Sequence, residues 1–569
     1  MRWNTLTGLA VALLAFAVGE SRVVSHDAVL VRHHFAGLSG VAEHPDLAPL
    51  KAILSLPESK RLLGEVDSKL AASLPIGFGV DGAKAAPHID AFLPWVRLAL
   101  ERESRVEVHG SKSWVGSWAV AVRMEEAEAV KVGGDLRGVL APLLGEGDSG
   151  GGEEGRPDWE LDGPEDGRRP AARFALVSGW AILGSGVGAF NEVRGRLSGP
   201  RASEGGLTGA VSRLEVDLAN LAPLLGWGAD PVAPVDRWPA VRMTVEPRKG
   251  RIRTSAELTF PEPLGLTLAP WVLPKEVLRD PMVGFTAIQG ADRWLGKMEW
   301  FKPYNVNEWP NPIYLWSVAG DPWNQYLAGP MNSPTNLMAQ VSGPIPMRMV
   351  TNMSWRGQVF GLRITNKATR VEFRGLPYLL PFLQSIREGD SSLLYGGLFP
   401  QPPKTDPAPV GLLQQVAGRT NLVFYDWETT GGTLLVTNPP GTPGPRISTN
   451  PVGRLAQFKQ LSQFWRLMMN TNSSMVPLAR NGEIWVPGWE WINAAQGRLG
   501  DTITEVTQTG PSRLSLVRSS QIGFNALELA YLLRWAENPG FPGWTGDEPP
   551  SREVKAVPTP GLPSKVGKP

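Results

Sequence analysis

The apolar positions at the start of the chain change from strand to helix periodicity. Residues 26–35 alternate as a strand, and the apolar residues at 47–70 then recur every three or four positions as two helices separated at Pro57. Alternation resumes over residues 118–124, and another helical pattern covers residues 127–144. The first part of the chain therefore predicts a sheet with helices packed on it.

Two further strands are predicted over residues 174–183 and 211–218. Between them and the preceding helix, residues 145–170 are so rich in Gly, Asp and Glu that they offer little apolar surface for burial. This composition predicts a solvated acidic loop inside the first domain.

The clearest hairpin of the sequence has its turn at residues 247–250, where apolar residues take every second position in both flanking segments. A register that pairs Val245 with Ile252 and Glu246 with Arg251 sets apolar against apolar and acid against base. We therefore predict an antiparallel pair joined by a four-residue turn.

The second half of the chain again mixes both periods after a proline-rich stretch at residues 261–281. Residues 360–364 and 371–373 alternate as a hairpin, and a helix is predicted after Asn450-Pro451, with apolar residues that include Leu455 and Phe458 on one side. A last helix over residues 525–535 is apolar nearly all round, which predicts full burial.

These patterns predict an α+β fold of antiparallel β-sheets with packed helices. The likeness of the two parts raises the hypothesis of two similar halves, although the halves do not align in sequence. The predicted organisation is a signal peptide at 1–19, an N-terminal α+β domain at 20–270, a C-terminal α+β domain at 271–536 and a disordered Pro/Gly-rich tail at 537–569.

The N-terminus has the three parts of a secretory signal. Arg2 is followed by the apolar residues 6–18, and Ala17 and Gly19 are small residues placed for cleavage after Gly19. The apolar run is shorter than the roughly 20 residues of a membrane span, so a cleaved signal is favoured over an N-terminal membrane anchor. We therefore predict a bacterial protein exported to the periplasm or cell envelope.

Composition narrows the chemistry further. The chain has no cysteine, which excludes disulfides, thiolate catalysis and lipidation at an N-terminal Cys. Its 56 basic and 55 acidic residues give a net charge of +1, so no overall field attracts nucleic acid, and we predict no nucleic-acid partner.

Two segments carry a family resemblance. RIRTSAELTFPEPL at 251–264 and LSLVRSSQIGFNALELAYLLRWAENPGFPGW at 514–544 resemble a group of large exported bacterial proteins that are uncharacterised. The resemblance implies export and supplies neither an activity nor a site.

The string GDSGG at residues 147–151 is similar to the sequence around the nucleophile of chymotrypsin-like serine proteases. However, Gly152 follows where that family has Pro, and His88 lies too close upstream to leave room for a first barrel. An acidic Gly-rich loop is the favoured interpretation. A hydrolase that uses Ser149 is kept as an alternative.

Two other patterns have ordinary structural explanations. Residues 184–189 fit the dinucleotide pattern G-x-G-x-x-A, but a glycine turn from a strand into a helix explains them equally. All six histidines precede residue 110, and we predict surface or edge positions for them, with His33 and His34 on opposite faces of a strand. We therefore assign no cofactor and no metal ligand.

Asp426 and Glu428 lie two apart on a predicted strand, so their carboxylates share one face and offer the chemistry of a glycoside hydrolase. The solvated face of a hairpin produces the same spacing. We assign no catalytic residue, and an envelope hydrolase based on this pair remains an alternative function.

The chain contains 22 tryptophans. Core packing explains most of them, but clustered rings also form surfaces for sugars or partner proteins. The candidate ligand or partner surface consists of Trp309, Trp316, Trp485, Trp489 and Trp491. Our leading hypothesis is an exported, non-catalytic protein that acts by binding or scaffolding, with an apolar-ligand carrier or a polysaccharide-binding protein as its specific versions.

Overall fold

The structure is a computed structural model, and it describes about two thirds of the chain. The described residues are 28–78, 80, 84, 86–144, 158–161, 172–199, 207–224, 238–274, 277–278, 282–295, 308–318, 324–342, 354–355, 358–359, 361–364, 370–374, 382–388, 391–397, 415–431, 435–436, 446–447, 453–458 and 486–537. The predicted signal peptide and the predicted tail beyond residue 537 lie outside this part of the chain.

The N-terminal half contains nine strands and seven α-helices within the described residues. They are β1 (Ala28–Phe35), α1 (Gly37–Glu43), α2 (Ala48–Leu54), α3 (Pro57–Ser73), α4 (Ile89–Glu101), β2 (Ser104–Ser111), β3 (Trp114–Arg123), α5 (Glu126–Leu144), β4 (Trp159–Leu161), β5 (Ala172–Val177), β6 (Trp180–Ser185), α6 (Gly188–Ser198), β7 (Ser212–Asp217), α7 (Leu218–Leu224), β8 (Ala240–Arg248) and β9 (Arg251–Thr259).

The C-terminal half continues with β10 (Met282–Ile288), α8 (Asp292–Leu295), β11 (Ile313–Val318), β12 (Asn324–Pro330), α9 (Pro334–Ser342), β13 (Ser354–Trp355), β14 (Gln358–Val359), β15 (Gly361–Ile364), β16 (Arg370–Arg374), β17 (Phe382–Glu388), β18 (Ser391–Gly397), β19 (Leu422–Thr429), β20 (Leu435–Val436), β21 (Arg446–Ile447), α10 (Val486–Ala495), β22 (Asp501–Gly510), β23 (Arg513–Ser520) and α11 (Ala526–Glu537). Residues 454–458 are also helical.

Nineteen of these strands form one antiparallel sheet, which confirms the predicted α+β class. The order across the sheet is β4-β5-β6-β3-β2-β1-β7-β8-β9-β23-β22-β19-β10-β11-β12-β18-β17-β16-β15. The sheet therefore runs without a break through both halves of the chain.

The two halves repeat one topology. The N-terminal order β5-β6-β3-β2-β1-β7-β8-β9 corresponds strand by strand, in the same chain order, to β17-β18-β12-β11-β10-β19-β22-β23. In both halves a helix, α5 or α9, follows the third strand of the repeat. The hypothesis of two similar halves therefore holds at the level of topology.

The halves meet through the equivalent strands β9 and β23. These strands pair antiparallel over eight residues, from Ile252 opposite Ser520 to Thr259 opposite Arg513. Because two copies of one strand pair antiparallel, the halves are related by an approximate twofold axis at this junction. The proline-rich stretch that we predicted as a domain boundary follows β9, but the sheet itself continues across it.

The two faces of the sheet differ in what covers them. The inner face packs against α3, α4, α5, α10 and α11 through one apolar core that includes Phe35, Val106 and Phe174. On the outer face, α6 covers strands β3, β5 and β6. The outer face of the C-terminal half carries a separate aromatic core around Tyr314 and Trp316.

Turn geometry corrects two sequence predictions. In the β8–β9 hairpin Val245 lies opposite Thr254, because the turn consists only of Lys249 and Gly250, both with positive φ. Such a two-residue turn matches the twist of the strands. The predicted pairing of Val245 with Ile252 was therefore wrong by two residues, although both side chains keep the predicted face.

The second turn divides a segment that we predicted as one strand. Residues 174–183 belong to the hairpin β5–β6, which turns at Ser178 and Gly179, again with positive φ at both positions. The sequence signal for this turn was Ser178-Gly179, a dipeptide typical of turns, between two apolar runs of four residues.

Two burial predictions also change. Within the predicted acidic loop, residues 159–161 form strand β4, whose Trp159 ring stacks on Phe174 at 5.6 Å. Helix α11 lies where we predicted it but is not buried all round, since Leu527 is 46% and Tyr531 55% exposed.

Candidate functional site

The predicted tryptophan surface is divided between different environments. Trp491 is only 7% exposed, and its indole Nε1 donates a hydrogen bond to Ser59 Oγ at 2.8 Å between α10 and α3. Trp485 and the side chain of Trp489 lie outside the described residues. Trp491 is therefore a core residue that joins two helices rather than part of an exposed platform.

The other predicted pair is Trp309 and Trp316, and Trp316 belongs to the aromatic core on the outer face. Trp309 is half-buried before β11, and Trp316 in β11 is 2% exposed. The Trp316 ring stacks on Tyr326 of β12 at 5.7 Å and on Tyr395 of β18 at 6.1 Å. Trp316 is therefore the centre of a buried group rather than an exposed ring.

We call Tyr314, Trp316, Tyr326 and Tyr395 the aromatic cluster. Its strands place it directly, because Trp316 and Tyr326 are paired across β11 and β12, and Tyr314 shares their face two residues away. Tyr326 and Tyr395 stack at 6.2 Å with an angle of 15° between their planes. Neighbouring strands thus bring ring-bearing residues, distant in sequence, into one layer.

The polar atoms of this layer are unusual. Tyr314 Oη, Trp316 Nε1 and Tyr326 Oη are all buried, and none has a hydrogen-bond partner in the described part of the chain. Burial raises the pKa of Tyr326 to about 12 and that of Tyr314 above its ordinary value, so both hydroxyls are neutral donors. A buried polar group without a partner costs about 1 to 3 kcal/mol. Three such groups in one aromatic cluster make it the candidate site for a polar partner.

The carboxylate pair lies on the opposite, inner face of the same region. Asp426 is 8% and Glu428 4% exposed beneath α11, and Thr286 Oγ1 donates to Asp426 Oδ1 at 2.6 Å. Glu428 Oε1 accepts hydrogen bonds from Thr430 Oγ1 at 3.0 Å and from the backbone N–H of Ala526 at 2.5 Å. Burial raises the pKa of both carboxyls, and that of Glu428 rises further, to about 7, because of the neighbouring Asp426.

This geometry explains the pair structurally. A glycoside hydrolase presents its two carboxyls to the sugar from either side of the bond that breaks. Here one carboxyl caps the first turn of α11 and the other binds a threonine of the neighbouring strand. The pair therefore holds protein groups rather than facing a substrate.

No match was found among protein-family models, curated proteins or solved structures. The function therefore has to be argued from the geometry of this chain alone. Within the described residues, no helix is long and apolar enough to cross a membrane.

Of the two glycine-rich motifs, one lies outside the described residues and the other lies within them. GDSGG with Ser149 lies outside the described residues. In the glycine motif, a Cβ on Gly184 would lie 2.6 Å from the Trp118 carbonyl oxygen, and Gly186 has φ +73°. The amide of Ala189, at the start of α6, donates to Ser117 Oγ at 2.8 Å. The glycines thus let α6 pack against β3. Ser117 already bonds the Ala189 amide, one of the helix N-terminal amides that would otherwise bind a pyrophosphate.

Sequence reasoning missed a buried charge cluster on the outer face. Glu107 in β2 is 1% exposed and accepts hydrogen bonds from His109 Nε2 at 2.7 Å, from Arg32 at 3.4 Å and from Arg196 of α6. Burial alone would raise its pKa, but His109, Arg196 and Arg32 outweigh burial and lower it. The sequence signal was a charged residue, Glu107, within the alternating pattern of a strand. Its arginine partners, Arg32 of β1 and Arg196 of α6, are far away in the sequence.

The histidine predictions are partly corrected. His33 and His34 do face opposite sides of β1, toward Ser212 and Glu103 respectively. However, His33 is 1%, His34 9% and His109 8% exposed, so the surface positions predicted for these three are wrong. Burial lowers the pKa of His33 to about 3, which keeps it neutral in the core.

Proposed function

We propose that this chain is an exported, non-catalytic binding protein of the bacterial periplasm or cell envelope, and that the aromatic cluster forms its ligand site. The observation that carries the proposal is the group of three buried, unpartnered polar atoms on Tyr314, Trp316 and Tyr326. A bound molecule with hydroxyl groups would satisfy these atoms.

The ligand chemistry favours a carbohydrate over a purely apolar molecule. The cavity between α3 and α11, lined by Leu62, Trp491 and Phe524 among others, measures about 50 Å³ and is too small for an apolar ligand, which needs roughly 300 Å³ or more. A lipid would also leave the three polar atoms without partners. Sugar rings combine a face that stacks on aromatic residues with hydroxyls that bond to Tyr and Trp.

The proposed location rests on the sequence. The signal pattern of residues 1–19 and the resemblance of two segments to exported bacterial proteins both support export. The absence of cysteine is compatible with an envelope protein whose core is large enough without disulfides.

The location is tested by the N-terminus of the mature protein. We expect N-terminal sequencing of the protein from the periplasmic fraction to start at Glu20, because Ala17 and Gly19 are the small residues that signal peptidase requires. Recovery of the intact Met1 terminus from the cytoplasm would contradict export. Recovery of that terminus from the membrane fraction would indicate an anchor instead.

The ligand site is tested with Tyr326→Phe, which removes one hydroxyl and keeps the ring. On a glycan array, we expect the mature protein to bind a defined subset of glycans and the variant to bind about tenfold more weakly, as one lost hydrogen bond predicts. Without ligand, the variant should be as stable as the parent or more stable, because an unpartnered buried hydroxyl has been removed.

The matched control is Tyr531→Phe, which removes a hydroxyl from a side chain that is 55% exposed on α11. It should leave both glycan binding and stability unchanged. Absence of any glycan binding by the parent protein, or equal binding by the parent and Tyr326→Phe, would reject the aromatic cluster as the ligand site.

A further inference from the structure

Five charged side chains meet where α11 begins, and their charges do not balance. Three are carboxylates, Asp426 and Glu428 of β19 and Glu528 of α11, whereas two are guanidinium groups, Arg454 of the helical residues 454–458 and Arg518 of β23. Glu528 is 39% exposed, whereas Asp426 and Glu428 are buried, and an unmatched negative charge on this buried pair is costly because the low-dielectric interior strengthens the repulsion.

The pairing shows which charge is unmatched. Arg518 is committed to Glu528, to which it donates two hydrogen bonds at 2.6 and 2.7 Å. Arg454 is the remaining cation, and its Nε lies 4.0 Å from Glu428 Oε2. One guanidinium therefore faces both carboxyls of β19.

Apart from Arg518 of β23, the groups packed around the pair from the other strands are uncharged. They are Thr286 of β10, Ser317 of β11, and Thr502 and Thr504 of β22, and Thr504 Oγ1 accepts a hydrogen bond from Arg518. No further cation of the described residues is hydrogen-bonded or ion-paired to either carboxyl. Among the described groups, a proton is therefore the source left for the missing positive charge.

We propose that Asp426 and Glu428 form a proton-binding site in which the two carboxyls share one proton, and that loss of this proton loosens the attachment of α11 to the sheet. The connection to α11 is direct, because the Ala526 N–H at the start of the helix bonds Glu428 Oε1. That hydrogen bond alone favours the ionised carboxyl, so the loosening comes from two like charges buried side by side against the helix. Thr502 Oγ1 also bonds the Phe524 carbonyl just before the helix and contacts Thr430, which donates to Glu428.

The direction of the pH dependence follows from linkage. The pKa of Glu428 rises from its ordinary 4.5 to about 7 in the folded chain, so the folded state holds the proton more tightly than an opened state does. The stabilisation is therefore complete below pH 4.5 and is lost as the pH rises through about 7.

The experiment is hydrogen exchange of the whole mature protein between pH 5 and pH 8, followed by mass spectrometry of the peptide that covers residues 526–537. After correction for intrinsic exchange rates, we expect protection of α11 to fall with pH by up to about fortyfold between pH 5 and pH 7. In Asp426→Asn the remaining carboxylate is matched by Arg454, so this pH dependence should disappear.

Two further variants make the result decisive. Glu505→Gln removes a carboxylate that pairs with Arg419 on the other face of β22, and it should keep the parent's pH dependence. Glu428→Gln retains an oxygen for the Ala526 N–H and should also lose the pH dependence. It is the test to use if Asp426→Asn does not fold. A parent protein whose α11 shows no pH dependence, or an equal dependence in all variants, would overturn the proposal.

Discussion

Replacement of Glu107 by alanine is expected to lower the free energy of unfolding by about 3 kcal/mol or more, the usual result of removing one partner from a buried ionic cluster. The Glu107 carboxylate is almost fully buried and receives hydrogen bonds from His109, Arg32 and Arg196. Without it, two guanidinium groups remain together around a cavity. The midpoint of urea unfolding, followed by tryptophan fluorescence, measures the change.

The structure offers a matched control for this variant. Glu215 of β7 pairs with the same Arg32, at 3.1 Å, but its side chain is 46% exposed. Its replacement by alanine should cost less than about 1 kcal/mol, because water replaces an exposed ion pair at little cost. If Glu107→Ala and Glu215→Ala lowered stability equally, burial would not be the reason that the Glu107 cluster matters.

Replacement of Gly37 by alanine is expected to destabilise the protein by about 3 to 5 kcal/mol, from backbone strain and overpacking together. Gly37 begins α1 with φ +80°, and a Cβ there would lie 2.4 Å from the carbonyl carbon of Arg102, at the end of α4. The three nearest atoms all belong to the backbone of Glu101 and Arg102, so no flexible side chain can move aside.

Two other glycines separate the effect of backbone strain from that of overpacking. Gly250 has a similar φ of +78° with nothing within 4 Å of the added Cβ, so Gly250→Ala should cost only the strain, about 1 to 2 kcal/mol. Gly64 lies inside α3 without either constraint, and Gly64→Ala should stabilise by up to about 1 kcal/mol. Thermal and urea unfolding of the three variants should rank them in this order. A Gly37→Ala protein as stable as Gly250→Ala would show that α1 can move away from α4.

Local periodicity predicted the elements whose apolar face is continuous. The helix predicted at residues 127–144 is α5 (Glu126–Leu144), and the last predicted helix is α11. The hairpin predicted around residues 360–373 is formed by β15 and β16, with Leu362 opposite Phe373 and Ile364 opposite Val371. In these segments one side of the element is buried, and the spacing of apolar residues records it directly.

The misplaced turns show what periodicity does not contain. A shift of two residues in a hairpin leaves every side chain on its predicted face, so the pattern around residues 241–260 fits both registers. Positive φ at Lys249 and Gly250 selected the observed one. The same conformation at Ser178 and Gly179 divides residues 174–183, which we predicted as one strand, into two strands.

The candidate site was predictable only in part. Trp316 was among the predicted ligand-surface residues, but its partners Tyr326 and Tyr395 come from β12 and β18. Asp426 and Glu428 were correctly placed on one face of a strand, whereas their burial depends on α11, about a hundred residues later. Burial converts the pair from a candidate for hydrolysis into a candidate proton site.

The sequence by itself determined the α+β class, the positions of the strongly periodic helices, the absence of cysteine chemistry and the expectation of export, because each depends on composition or on neighbours within one element. Tertiary structure decided the single sheet of 19 strands, the repeated topology of its halves and the union of β9 with β23. These depend on which strands pair across long distances, and pairs such as Leu258 with Leu514 leave no trace in local spacing. The buried polar clusters arise from the same long-range pairing, since each draws its members from several strands and helices.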